Sequence, residues 1–535
     1  MERRYDEGQG AGKARALTTE RREETLNTEE RKTQLLALLG DFWRDSRPLR
    51  EKYARNQRLY LEQALGREGG RARPRTGTPV LYATYRQELA DAVELMPEAV
   101  FLARRKEDEQ RADRMTRLHR AVLERMDFEH TYIQLCENRA RFGMGVCETG
   151  VEAGEARVTA YDPRCIAADP TVEDMQDGRA VFKVSYHTLD YFRAHYPRQA
   201  QRMNGESPSF LAPPDGERIA LITAYYKTWK DGSCAVHQMK IAGGRVLYDS
   251  TRAHPEGLYP HGEYPFVFWY YDRLPGTPWG FGAFDYLAPL QSYIDKLDTL
   301  VMRNIARSAR PRLMVNRSAG LDLTALADEE QEVVLADRID ENAVRWQDCA
   351  PLTPAAMQML SAKIDMLKAE SGQNAVSRGE LPVSAASGSA ISMLQAAGSK
   401  RTNLHQATIN QAFLQMVRQI VANLAAFGSR DTSYRTQDGY AVLEPQDAPG
   451  AWEYDLQVRL QRMPRYESVY QNQLLLQLVQ MGVLPAGAAF QLMDLSNKEA
   501  IVKAIRTTEG GQNHGNQTQP GDGDARDAAP AAQLS

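Results

Sequence analysis

The chain has 535 residues, of which 42% are hydrophobic and 25% are charged, so it is long enough for several domains and its composition excludes wholesale disorder. Lys and Arg together number 66 against 70 Asp and Glu, a formal net charge of -4 that excludes a global basic field drawing the whole molecule to nucleic acid. Any contact with DNA must therefore come from a local cluster of cations.

The five cysteines form an odd set without a Cys-x-x-Cys pair, which predicts free thiols in a reducing compartment. No apolar run approaches the roughly 18 residues that a membrane-spanning helix needs, and the Arg- and Glu-rich start of the chain has no signal-peptide core. We therefore expect a protein that is made in the cytosol and has no membrane partner.

Both ends of the chain have compositions typical of disorder. Residues 1–32 are rich in Arg, Glu, Gly and Thr, and residues 507–535 are rich in Gly, Gln, Asn, Asp and Ala. Residues 33–144 show helical periodicity, with Leu36 and Leu39 among the apolar positions, and predict a helical N-terminal region.

The pattern changes to short alternating runs between residues 145 and 283. These runs cover 157–161, 180–186, 219–229 and 236–241. Because Gly-containing turns separate them, we expect an antiparallel β meander.

Residues 284–310 predict one long helix of about 40 Å. Apolar side chains recur there at steps of three and four, and cations fall on nearly the opposite face. The apolar set is Leu287, Leu290, Ile294, Leu297, Val301 and Ile305, and the basic set is Lys296, Arg303, Arg307 and Arg310. The basic set suits weak contacts with phosphates, although a solvated helix face or ion pairs between subunits would give the same pattern.

An acidic segment follows the long helix. Its strand-like ends, 312–315 and 342–346, enclose a helix-like stretch, so residues 311–352 predict a small α/β lobe. Within it we single out an acidic set: Asp328, Glu329, Glu330, Glu332 and Asp337. The charge favours a docking surface, and an exposed solvated lobe is the alternative.

Four more regions follow, and three of them have a helical pattern. Residues 353–370 predict a helix long enough to run beside the first, and residues 389–428 predict a longer helix that bends at Gly398. Residues 429–464 contain a strand-like run, and residues 465–506 predict an amphipathic helical region.

A loop rich in Ser, Gly and Ala, residues 371–388, joins two of these helices. It carries Arg378 and Glu380. The two side chains would meet DNA if the loop lined a channel, and a plain mobile linker is the alternative.

Motifs of catalysis and cofactor binding are missing from the sequence. The aspartates Asp162, Asp169, Asp174 and Asp177 do not match a calcium loop. Their Asp-Pro pairs indicate turns, and the Gly280-Phe281-Gly282 run lacks the third glycine of a dinucleotide fingerprint. We predict no catalytic residue, no metal site and no cofactor, hence a protein that is not an enzyme.

Several short signatures occur in a characteristic order. Asp162-Pro163-Arg164 and Asp169-Pro170 precede a strand that ends in Tyr186-His187-Thr188. Tyr264-Pro265-Phe266 then precedes Trp279-Gly280-Phe281-Gly282 and Asp285-Tyr286-Leu287-Ala288-Pro289-Leu290-Gln291. In this order and spacing the chain resembles the portal, or head-to-tail connector, proteins of tailed bacteriophages, most closely the larger type of short-tailed phages.

The resemblance implies an α+β portal fold with a helical N-terminal region, an antiparallel β wing, a two-helix stem, a small α/β clip, a long kinked helix and a helical crown. The implied regions are the wing (33–144 helical, 145–283 β-rich), the stem helices (284–310 and 353–370), the clip (311–352), the tunnel loop (371–388), the long kinked helix (389–428), the wing return strands (429–464) and the crown (465–506). A disordered N-terminus (1–32) and a disordered tail (507–535) would flank them.

The resemblance also implies a function. Portals are ring oligomers at one capsid vertex that conduct DNA during packaging and ejection. The chain would form a homo-oligomeric ring, a dodecamer, with the apolar set at its stem interface and the acidic set as a docking surface. Its partners would be the terminase large subunit, the major capsid and scaffolding proteins, a tail adaptor and double-stranded DNA bound non-specifically.

The implied location is the capsid vertex of the virion, with the host cytoplasm as the place of assembly. Two other classes of protein stay open. One is a packaging-associated enzyme, a nuclease or an ATPase, and the other is a capsid or adaptor protein without a channel.

Overall fold

The computed structural model describes residues 28–493 except 66, 69–70, 73–77, 204–206, 212–216, 231–232, 310–311, 317–343, 348–352, 373–399, 430–431, 437–438, 445–446, 448–451 and 461–464. Several expected features lie outside the described residues. They are the tail 507–535, the acidic set Asp328, Glu329, Glu330, Glu332 and Asp337, the cations Arg310 and Arg378 with Glu380, and the bend at Gly398.

The described chain is of mixed helix and sheet. Its helices are α1 (Thr28–Asp45), α2 (Arg47–Leu65), α3 (Val80–Glu94), α4 (Glu109–Arg125), α5 (Phe128–Phe142), α6 (Leu189–His195), α7 (Pro197–Ala200), α8 (Ala283–Ala309), α9 (Pro354–Glu370), α10 (Lys400–Phe427), α11 (Arg465–Gln480) and α12 (Ala486–Leu492). No helix in the described ranges is long and apolar enough to cross a membrane.

The strands are β1 (Arg67–Glu68), β2 (Arg71–Ala72), β3 (Pro97–Ala103), β4 (Met144–Glu152), β5 (Glu155–Tyr161), β6 (Ile166–Ala168), β7 (Ala180–His187), β8 (Ile219–Lys230), β9 (Ser233–Ala242), β10 (Arg245–Asp249), β11 (Phe266–Tyr270), β12 (Asp272–Arg273), β13 (Gly280–Phe281), β14 (Arg312–Val315), β15 (Val344–Gln347), β16 (Ser433–Thr436), β17 (Gly439–Val442) and β18 (Tyr454–Leu460). The larger sheets have the orders β10-β9-β8-β7-β6 and β11-β4-β5, and the others are two-stranded.

The five-stranded sheet contains the expected meander, since β7, β8, β9 and β10 are consecutive antiparallel neighbours. Gly243 and Gly244, both with positive φ, make the turn from β9 to β10. The alternation fixes which side chains face inward, so one face of this sheet carries Phe182 and Ile241 toward α1.

Helix α1 begins earlier than the sequence predicts. Residues 28–32, which the composition assigns to a disordered N-terminus, are helical. Glu29 in the first turn complements the positive helix N-terminus, and Thr28 Oγ1 donates a hydrogen bond of 3.3 Å to Asp249 Oδ2. Composition alone misses this because the partner carboxylate is more than two hundred positions away.

Strand β3 is the main correction to the helical N-terminal region. Residues 97–103 form a strand within a segment, 33–144, that the periodicity assigns to helices. Its partner is β18, with Phe101 opposite Leu456. The pairing joins segments so far apart in sequence that no local pattern reveals it.

The largest core collects α3, α4, α5, β3, α8 and α10. Tyr85, Phe101, Tyr132, Phe284 and Phe413 are all buried in it. It covers the first half of α8, so that helix starts inside the body of the protein and emerges from it.

The Gly280-Phe281-Gly282 run passes very close to the backbone of Gly143. A Cβ atom at Gly280 would lie 1.9 Å from the Gly143 carbonyl oxygen, and Gly143 itself has φ 91°. The two glycines thus permit a contact between the end of α5 and the residues before α8 that no side chain allows. The close packing of the two backbones therefore accounts for the Gly280-Phe281-Gly282 run, and no nucleotide-binding role is needed to explain it.

The chain divides into two units, and residues 462–535 form the second. Within its described part, α11 is followed by a turn at Gly482, with φ 72°, and by α12. The first unit ends with β18 and contains all the elements before it.

Candidate oligomer and nucleic-acid interface

The first turn of α8 is anchored by the buried carboxylate of Asp285, whose side chain is 2% exposed. It accepts hydrogen bonds from Lys52 Nζ at 3.0 Å and from Asn56 Nδ2 at 2.8 Å, both on α2. The Gly282 N–H donates to the same carboxylate at 2.9 Å. The carboxylate therefore caps the helix start and ties α8 to α2.

Gln291, nearly two turns further along α8, ties the helix to α3. Its Oε1 accepts a hydrogen bond from the Leu81 N–H at 2.9 Å, and its Nε2 donates to the Thr78 carbonyl at 2.9 Å. The Leu81 N–H belongs to the first turn of α3, where backbone donors have no partner within their own helix. The first half of α8 is therefore held from two sides.

The expected apolar face of α8 is only partly covered. Leu287, Ile294 and Val301 are buried, whereas Leu290 and Leu297 are half-buried and Ile305 is exposed. Helix α9 supplies part of the cover through Leu360, Ile364 and Leu367. The two helices therefore form a packed pair, and the cover thins toward the end of α8.

The basic face of α8 is solvent-exposed. Lys296, Arg303 and Arg307 lie on the side opposite the buried residues, and none of them forms an ion pair with another residue in the described ranges. Because no carboxylate of the described residues forms an ion pair with them, these cations can meet a ligand or a second subunit.

Two further side chains contribute to this basic face, and the helical pattern of α8 did not predict them. The Tyr293 ring lies 5.8 Å from Lys296 Nζ and 5.8 Å from Lys363 Nζ of α9, and 56% of the side chain is exposed. Lys363 joins the surface only because α9 packs beside α8, so no signal within the α8 sequence could have identified it.

Helix α8 also exposes apolar side chains on two opposite flanks. Leu300 is 60% exposed and Met302 is 53% exposed. Leu300 and Met302 are two positions apart, and each position turns the helix by about 100°. Their side chains therefore point about 200° apart, on opposite sides of the helix. Tyr293 lies on the Leu300 flank and Ile305 lies nearer the Met302 flank. We call these the Leu300 flank and the Met302 flank.

Three of the four aspartates considered for a metal accept hydrogen bonds within local turns. Asp162 accepts from the Arg164 N–H at 2.9 Å, and Asp174 accepts from the Gln176 N–H at 2.9 Å. Burial acts to raise the pKa of Asp169, but hydrogen bonds from Arg179 and Thr171 outweigh it and lower the pKa. No group of three or more metal-binding side chains occurs among the described residues.

Comparison with known proteins identifies the family. A search of curated proteins finds no match. The family model described as phage P22-like portal protein matches residues 43–535, which include α8, α9 and the β-rich region. The chain belongs to the family of phage P22-like portal proteins.

Proposed function

We propose that the protein forms a ring at one vertex of the capsid and that DNA passes through this ring during packaging and ejection. The α8 and α9 pair would form the stem, and neighbouring subunits would meet through the Leu300 and Met302 flanks. The observation that carries the proposal is the exposure of apolar side chains on two opposite sides of one helix. It is supported by membership of the portal family.

The position of the flanks favours a ring over a simple dimer. In a twofold dimer the same patch of both subunits meets itself, so one flank would be used twice and the other would stay exposed. When two different patches meet head to tail, each subunit uses both, and the assembly closes into a ring if the rotation allows. Opposite flanks on α8 fit the second arrangement.

The basic face of the stem would contact DNA. Lys296, Arg303 and Arg307, together with Lys363, would repeat around the ring and give many weak contacts to phosphates. Such contacts carry no sequence preference and are screened by salt, which suits DNA that must move. Arg310, Arg378 and Glu380 are further candidates for the channel.

The remaining assignments extend the same proposal. Residues 311–352 would be the clip, and its acidic set would dock the terminase large subunit and later the tail adaptor. The β-rich region 145–283 would be the wing, residues 371–388 the tunnel loop and residues 465–506 the crown. The ring would meet the major capsid and scaffolding proteins in the host cytoplasm and stay in the virion, with a structural and not an enzymatic role.

Cross-linking tests the arrangement of subunits. In a background where Cys165, Cys234 and Cys349 are replaced by Ser, we compare Leu300→Cys, Met302→Cys and the double variant after treatment with a short bismaleimide. Head-to-tail contact predicts few products from either single variant and a ladder of multimers from the double variant, ending at the ring size. Dimers from a single variant, with no longer species from the double variant, would contradict the proposal. Electron microscopy of the untreated protein gives the subunit number.

A further inference from the structure

A polar row crosses the five-stranded sheet on the face opposite α1. The register places Lys183 of β7 opposite Thr223 of β8, Thr223 opposite Lys240 of β9, and Lys240 opposite Tyr248 of β10. Opposite residues share one face of a sheet, and adjacent strands lie about 4.8 Å apart, so the two lysine Cα atoms are about 10 Å apart. Two cationic side chains therefore leave the same face on either side of one hydroxyl.

The carboxylate near this row, that of Glu148, is already engaged by other side chains. Glu148 of β4 accepts hydrogen bonds from Lys183 Nζ and from Tyr225 Oη. Lys183 Nζ also donates to Tyr161 Oη at 3.1 Å. Because Glu148 is bound by Lys183 and Tyr225, and no carboxylate of the described residues forms an ion pair with Lys240, the row keeps one positive charge without a counterion there.

Lys240 and Thr223 have unused hydrogen-bonding capacity. Lys240 is half-buried and makes no ion pair or hydrogen bond with another residue in the part of the chain that the structure describes. Burial lowers the pKa of Lys240, and the neighbouring charge of Lys183 lowers it further. The Thr223 side chain is buried, and its hydroxyl likewise has no described partner. The Lys240 Nζ lies 5.8 Å from the centroid of the Tyr248 ring, which is a cation–π contact and not a counterion. An anion held here would supply the negative charge that the half-buried ammonium lacks among the described residues.

The covered parts of the sheet on both sides limit the size of a ligand. Along β8, Leu221 belongs to the small core under α6, and Tyr225 belongs to the core under the three-stranded sheet. Thr223 lies between them on the same face. The strip between these two cores is thus about one cross-strand row wide. Because Thr223 is only 4% exposed, the strip admits at most a small ion and not the surface of a duplex.

We propose that the Lys183–Thr223–Lys240 row binds one small oxyanion of the phosphate class, with Lys240 Nζ and Thr223 Oγ1 as donors. The inference stands independently of the proposed ring, because it rests on the β-rich region alone. The ammonium would give a charge-assisted hydrogen bond, and the hydroxyl would fix the position of one oxygen.

Phosphorus NMR of inorganic phosphate tests the site in the full-length protein in chloride buffer. We expect the phosphate signal to broaden with the wild type and the affinity to fall by roughly tenfold or more in Lys240→Met, which loses a charged donor. Thr223→Val should weaken binding less. The control Lys106→Met removes one exposed lysine outside the sheet, with the same change of net charge, and should bind like the wild type. Equal broadening for Lys240→Met and Lys106→Met, or none for the wild type, would overturn the proposal.

Two further measurements keep the result interpretable. Circular dichroism checks that each variant is folded, and if Lys240→Met is not, Thr223→Val against Lys106→Met carries the comparison. A short DNA duplex added to the phosphate complex identifies the source of the anion. We expect no displacement, which assigns the site to a free anion, whereas displacement assigns it to a phosphate of the nucleic-acid backbone.

Discussion

Asp285 and Asn56 are 229 residues apart in the sequence, and their side chains are joined by a hydrogen bond of 2.8 Å between Asn56 Nδ2 and Asp285 Oδ1. The same carboxylate accepts from Lys52, so one buried group fixes the start of α8 against α2. Because the side chain is buried, neither partner can be replaced by bulk water without a cost. The packing of α8 against α2 is therefore sensitive to this one residue.

Asp285→Ala should lower the free energy of unfolding by about 3 kcal/mol, since it leaves Lys52 and Asn56 without their acceptor and removes the helix cap. Urea unfolding followed by circular dichroism measures the change. Asp41→Ala is the matched control, because it breaks an exposed pair with Arg44 and should cost less than about 1 kcal/mol. Equal losses in the two variants would show that burial of Asp285 is unimportant.

Acidic substitutions at two positions of α8 should separate folding from assembly. Ile294→Asp places a charge in the core and should cost more than about 3 kcal/mol in unfolding free energy. Leu300→Asp changes an exposed position, so the subunit should keep its stability within about 0.5 kcal/mol and lose the ring.

Native mass spectrometry detects the ring, and urea unfolding of the monomer detects the fold. Ser308→Asp, an exposed position of α8 outside both flanks, is the control for added charge. A Leu300→Asp protein that assembles like the wild type would remove the Leu300 flank from the interface.

Replacing Arg303 and Arg307 together by Ala should leave assembly unchanged and weaken DNA retention, most visibly at low ionic strength. The reason is that cation–phosphate contacts release counterions, so fewer contacts make the salt dependence less steep. DNA binding by assembled rings at several salt concentrations measures the slope. The control replaces Arg193 and Arg198, two exposed arginines of the β-rich region. A loss of thermal stability of the ring with unchanged DNA retention would instead indicate ion pairs between subunits.

His119 should make the protein sensitive to acid. Burial lowers its pKa to about 4, and neither ring nitrogen has a hydrogen-bond partner in the described part of the core. The unfolded chain, with a pKa near 6.5, binds the proton first as the pH falls. The part of the unfolding free energy that depends on a neutral His119 is therefore intact above pH 6.5. It is lost between pH 6.5 and 4, at about 1.4 kcal/mol per pH unit.

The variant His119→Leu should remove this part of the acid dependence. The difference in unfolding free energy between variant and wild type at about pH 7.5 reports packing alone, since the imidazole is neutral there in both states. As the pH falls below about 7.5, the wild type should lose stability relative to His119→Leu, so the unfolding free energy of the variant should increasingly exceed that of the wild type. Parallel stability curves from about pH 7.5 to 4.5 would contradict the assignment.

The predictions from the sequence are most accurate where the structure of a segment is determined by residues within that segment. The helix predicted over 284–310 runs over Ala283–Ala309, and the run 312–315 is the strand Arg312–Val315. In both cases the period of apolar residues and a bounding proline or glycine are contained in the segment itself. The end of α10 at Phe427 is of the same kind, since the Gly428 N–H closes the last turn on the Leu424 carbonyl at 2.8 Å.

Features that depend on distant partners could not be read in this way. The β3 strand needs β18, and the basic face includes Lys363 only because two helices pack side by side. The close approach of Gly143 and Gly280 likewise joins segments that share no local period. Within the candidate site, the helical period predicts the apolar face and the basic face of α8. It does not predict the Leu300 and Met302 flanks, because the extent to which α9 covers the helix is a tertiary property.

The pairing of β3 with β18 delays the completion of folding during synthesis, because β3 must wait for β18 to be translated. Arg104, directly after β3, and its partner Asp455 in β18 are 351 residues apart. At roughly 5–20 residues per second, the ribosome needs tens of seconds to deliver the second strand after the first. During this interval the first strand has an open edge, and Phe101 lacks the strand that later lies beside it. The nascent chain is therefore exposed to misassembly until nearly the whole first unit has been translated.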